Sequence, residues 1–310
     1  MDTFSPLDSR PSPWTPILAA SERARFALDA VLPEDAQFDF TRPFLPAAMT
    51  GAEALPLRGA DERLVLGHVR AHGYLALFGL VEEFILPFVV EHAGTHPPAD
   101  RERTRALLGF AAEEAKHIEL FARFRRVFAR GFGPACAVIG PPEAVAAAVL
   151  AHPPLGVALA ILHIEWMTQQ HWLACVRDDA SLEPAFAELL RVHWMEESQH
   201  ARIDTMLVRE IASGLAAAEI ERGLAGYVAI VELLDGALRQ QVLLDLDAFE
   251  RAAQRVLAPA ERDDFVTVQH AAMRRSFLLD GLEHRAFRRS LSELHPDALA
   301  RTAALAARLR

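Results

Sequence analysis

The chain has 310 residues, 52% of them hydrophobic, enough to bury a sizeable core in one large helical domain or two modest ones. Its formal net charge is −10, from 32 basic and 42 acidic residues. That acidic surface repels phosphate backbones and argues against nucleic acid as a partner.

The N-terminus, MDTFSPLDSR, has no basic stretch followed by an apolar run, so it does not read as a signal peptide. Cys136 and Cys175 form no CxxC pair, which argues against a zinc–thiolate site and leads to the expectation of reduced thiols in a cytoplasm. Residues 1–60 hold eight prolines and cannot form one long helix. They read as an arm that packs on the main body, with a short helix near 20–31 and disorder at the extreme end. Residues 61–93 predict a long apolar helix with a kink at Pro87, broken by THPPAD at 95–100. Asp100 then caps a second helix over 101–130. A connection rich in Gly and Pro leads to a short helix at 142–151, and Pro153 and Pro154 start a long one reaching about Val176. The run from Ala144 to Ile164 carries no formal charge. Its prolines and histidines, and its direct passage into Glu165, favour a buried helix pair over a membrane span. Ser181 is a candidate cap for a fourth long helix at 182–212, followed by helical stretches at 216–257 and 261–289 and a short terminal helix after Pro296.

No segment shows strand alternation, and the glycine motifs of nucleotide-binding folds are missing. The expected fold is all-α: a four-helix bundle over 61–212, the arm at 1–60, and additional helices over 213–310 completing the same domain.

The second helix carries Glu114 and His117 at i, i+3, and the fourth repeats that spacing with Glu197 and His200. His193, Glu197 and His200 fall within about 60° in helical projection. Glu165 is the only acidic residue from Ala144 to Val176, and an unpaired carboxylate in so apolar a helix is costly unless a cation offsets it. The first helix offers Glu82 and Glu83. Projection does not separate them, and the reading favours Glu83, because the small residues Ala76 and Gly79 on its side leave room for metal or substrate. Two Glu-x-x-His helices plus one Glu from each of two others make a carboxylate-bridged dimetal site in a bundle. Hard carboxylate oxygens and neutral imidazoles suit iron, and manganese satisfies the same donor chemistry. Glu113 and Glu196 are candidates to receive the outer N–H of a ligand histidine, and Gln169 is a candidate donor to Glu165.

The order Glu, Glu-x-x-His, Glu, His-x-x-x-Glu-x-x-His resembles the ferritin-like di-iron superfamily. Within it, the third histidine resembles the non-haem di-iron N-oxygenases of the p-aminobenzoate N-oxygenase type. The resemblance covers about residues 61–212. It implies that Glu83 (or Glu82), Glu114, His117, Glu165, His193, Glu197 and His200 hold two iron ions that react with dioxygen to oxidise a small organic substrate such as an amine. An external electron donor is then needed, since the chain has no flavin or nicotinamide motif, and a homodimer is compatible with this reading. A ferroxidase or iron-handling protein, or a manganese or manganese–iron oxidase, is the alternative expectation.

Overall fold

The computed structural model describes residues 12–94 and 100–310. Residues 95–99 of the break expected at 95–100, and the disorder expected at the extreme N-terminus, lie outside the described residues. Helices α1 (Thr15–Ala24), α2 (Leu28–Val31) and α3 (Ala47–Thr50) form the N-terminal segment. Pro16 lies in the first turn of α1, where a missing N–H leaves no helical bond unmade. The helix expected at 20–31 therefore begins earlier, at Thr15, and the extended backbone of Arg25 and Ala27 divides it into two. Downstream, the Phe38 ring meets Phe124 at 5.4 Å and Phe44 stacks on Phe186 at 4.3 Å, so aromatic side chains anchor this segment to the bundle.

The bundle consists of α4 (Gly59–Gly94), α5 (Arg101–Phe132), α7 (Pro154–His171) and α8 (Pro184–Ser213), with α6 (Pro142–Leu150) between the second and third. Helix α4 packs along α5, α7 packs along α8, and α5 meets α8. Asp100 caps α5 by accepting from Arg103 N at 3.0 Å. The cap of α8 is Glu183, not Ser181. Pro184 takes the first helical position, so the residue just before it must accept from the free backbone N–H groups, and Glu183 accepts from Phe186 N at 2.9 Å.

Flanking helices complete the fold: α9 (Ala217–Ala252), α10 (Pro259–Arg274), α11 (Asp280–Glu283), α12 (Arg285–Leu294) and α13 (Ala298–Leu309). The helix expected over 261–289 is interrupted twice, by a π-turn at Arg275–Leu279 and by extended backbone at His284. A second π-turn, Trp172–Val176, ends α7. No strand occurs among the described residues, so the all-α class with added flanking helices holds.

Helix α7 is buried continuously from Leu155 to Glu165, enclosed by α8 and α9. The approach of α9 depends on Gly156, where a Cβ would stand 2.8 Å from Gly223 O and 2.9 Å from Tyr227 N. Among the described residues, α4 is the one helix long and apolar enough to cross a membrane, and 67% of that apolar stretch is buried inside the protein, as in the core helix of a soluble protein. It also buries polar groups: Arg70 is 2% exposed and pairs with Asp245 at 3.4 Å.

Candidate metal centre

Two overlapping groups of metal-capable side chains lie inside the bundle. Glu82, His117, His193 and Glu197 bring one donor atom each within 4.8 Å of one another, and Glu114, His117, Glu197 and His200 do the same. His117 and Glu197 belong to both groups, and all six residues are buried. The i, i+3 spacing turns each Glu and His toward the same locus, from α5 on one side and α8 on the other.

Glu197 stands at the centre. Its Oε1 lies 2.7 Å from His193 Nε2 and 3.1 Å from His117 Nδ1, and its Oε2 lies 2.9 Å from His200 Nδ1. His200 Nδ1 is also 2.8 Å from Glu114 Oε1, and His193 Nε2 is 3.2 Å from Glu82 Oε1. The third histidine, His193, thus joins the cluster. Glu165 borders the same space, together with Glu82, Glu114, His193 and Glu197, and hydrogen-bonds Glu197, although it belongs to neither four-residue group.

The choice of Glu83 is corrected. Glu82 is 2% exposed and faces the cluster, whereas Glu83 lies on the exposed side of α4. One residue turns the side chain by about 100°, enough to move it from interior to surface. Gly79 does not leave room for metal either; a Cβ there would meet Phe121 Cβ at 3.7 Å, so it sits at the contact with α5.

The outer edges of two histidines are held by carboxylates in a crossed arrangement. His117, on α5, donates from Nε2 to Glu196 on α8 at 2.7 Å, while His200, on α8, donates from Nε2 to Glu113 on α5 at 2.8 Å. Each bond holds the ring so that Nδ1 faces the centre, where it can coordinate an ion once its proton is displaced. Lys116 ion-pairs with Glu196 and lies over the Phe26 ring at 3.7 Å. Phe110 stacks on His200 at 3.9 Å, and Phe121 packs edge-on to His193 at 5.0 Å. Gln169 does not reach Glu165; its amide donates to Trp194 O at 3.3 Å.

Electrostatics show what the cluster lacks. Burial, then the charges of Glu114 and Glu197, push Glu82 well above the usual carboxylate range; burial and Glu197 do the same to Glu165, and Glu114 is also raised. Burial alone would raise Glu197, but His193 and His200 outweigh it and hold it well below that range. Burial works to lower His117, yet hydrogen bonds to Glu196 and Glu197 carry it up to about 9. Protons therefore stand in here for positive charge. Glu82 Oε2, Glu114 Oε2 and Glu165 Oε2 are buried with no hydrogen-bond partner, a costly state for isolated carboxylates. Two divalent cations would neutralise Glu82, Glu114, Glu165 and Glu197 and give these oxygens partners, so the residues present fit a dimetal centre.

Sequence reasoning missed Asp204. It lies one turn beyond His200, is 1% exposed, and has both carboxylate oxygens without a partner. Burial raises it well above its ordinary value, with His200 opposing and Glu114 and Glu197 adding to the effect. The i+4 step from His200 was the available signal.

No protein-family model matches this sequence, and a search of curated proteins finds no match either. The arrangement of donors is thus the ground on which a function is argued: a buried carboxylate–histidine cluster able to hold metal, inside an all-α bundle.

Proposed function

We propose that this chain is a ferritin-like, non-haem di-iron oxygenase or oxidase. It uses dioxygen to oxidise a small organic substrate, with an amine as the class suggested by the third histidine. The observation that carries the reading is the pair of overlapping donor groups sharing His117 and Glu197, with unpartnered carboxylate oxygens around them. Bound iron would supply two reducing equivalents and open coordination positions for dioxygen.

The remaining roles belong to the protein. Glu82, Glu114, His117, Glu165, His193, Glu197 and His200 would hold the ions. Glu113 and Glu196 take the outer N–H of the ligand histidines and hold each ring turned with Nδ1 toward the ions. Phe78, Phe110 and Phe121 pack against the imidazoles and exclude water. An external donor must return the electrons after each turnover.

The test is anaerobic loading with Fe(II), followed by exposure to oxygen with an aryl amine and a chemical reductant. The reading expects an iron-dependent visible absorption change and an oxidised amine product. Oxygen uptake that only converts Fe(II) to Fe(III), with any organic compound left intact, would instead mark a ferroxidase.

A further inference from the structure

Behind Glu82 and Glu165 lies a second space with a different character. It is a cavity of about 40 Å³ between α4, α7, α9 and the π-turn at Arg275–Leu279, and every side chain lining it is apolar. Phe78, Val81 and Ile164 line both this chamber and the space bounded by the carboxylates, so one layer of side chains separates the two. Val81 and Ile164 directly precede Glu82 and Glu165 in the chain. Away from the carboxylates, Leu234, Ala237 and Phe277 are half-buried, which gives the chamber an edge toward solvent.

We infer that this chamber is a holding site for dioxygen beside the metal centre. The inference rests on the reading that the centre reacts with dioxygen. Size and polarity select the occupant. A water needs roughly 10–15 Å³ on this measure but also two to four polar partners, which this lining does not offer; an apolar cavity of about 150 Å³ admits benzene. A chamber of about 40 Å³ therefore suits a small apolar molecule and excludes an aromatic ring unless its walls move. Dioxygen is uncharged, diatomic and more soluble in apolar surroundings than in water. The chamber concentrates it one side chain away from Glu82 and Glu165, while the larger organic substrate must use another approach.

Xenon, which occupies dry apolar cavities, is the probe. Crystals of the metal-free protein under xenon pressure should show an anomalous peak among Phe78, Ile164 and Ala237. Ala237→Leu should remove that peak, and Leu234→Trp, at the solvent edge, serves as a second blocking variant if Ala237→Leu does not fold. In the iron-loaded protein either variant should raise the KM for dioxygen on the order of fivefold, with kcat at saturating oxygen retained. No xenon in the wild-type chamber, or benzene seated there without displacement of its walls, would overturn the inference. Neither result touches the dimetal reading, which is judged separately by iron content per chain.

Discussion

Glu82 and Glu83 differ by one step of a helix, and that step decides which carboxylate reaches the cluster. Glu82→Ala should cut iron binding from two ions per chain to about one, while Glu83→Ala, on the exposed face, should leave the stoichiometry unchanged. Metal analysis of the two purified variants checks this, and equal losses would contradict it. Glu196→Gln keeps the shape but weakens the bond that fixes His117. It should lower metal affinity by about 10- to 100-fold without loss of fold, measured by competition with a chelator. Most donors were legible in the sequence because i, i+3 and i, i+4 spacings place them on one helix face. The first-helix ligand was not, for a physical reason: α4 is buried without interruption from Leu66 to Phe78, so it has no solvent face there from which to take its phase. Asp204 stands at the i+4 step from His200 but falls outside the Glu-x-x-His pattern that marks the other donors.

The two π-turns bear on the elements around the site. A π-turn leaves backbone carbonyls outside the regular helical bonding pattern, and such turns often occur at functional positions. Here His171, on α7, donates from Nε2 to Ser276 O at 2.8 Å, inside the π-turn at Arg275–Leu279. His163 Nδ1 pairs with the Tyr227 hydroxyl at 2.8 Å and ties α7 to α9. These two histidines fasten the flanking helices to the bundle. Tyr227→Phe should cost about 1–3 kcal/mol, because His163 loses its partner in a buried place. Urea unfolding of the metal-free protein measures it, and a change below about 0.5 kcal/mol would show the bond to be dispensable. The long helices, the Asp100 cap and the proline starts were visible as periodicity and local chemistry. The π-turns and the break at His284 were not, since no proline marks either segment.

At the scale of the whole molecule, the metal-free chain folds around a cluster that holds protons where cations would sit. The linkage has a definite sign. His117 binds its proton more tightly folded than unfolded, so its contribution is full below about 6.5 and is lost as pH rises through about 9. The raised carboxylates Glu82, Glu114 and Glu165 act in the same sense, since their retained protons are lost as pH increases. The Tm of the metal-free protein should therefore fall between pH 6.5 and 9 in a calorimetric series. Iron replaces the protons, so at a thousandfold excess over Kd it should add about 4 kcal/mol, a Tm rise on the order of 10 °C, and flatten that pH dependence. A Tm that rises with pH without metal would contradict the electrostatic account.

The central claim is that this bundle holds two metal ions, and the most direct measurement is anomalous diffraction at the iron edge from crystals loaded anaerobically with Fe(II). The account predicts two iron peaks on either side of Glu197, one near Glu82 and His193 and the other near Glu114 and His200, with His117 and Glu165 completing the donor set. A single peak, or none within reach of Glu197, would contradict it.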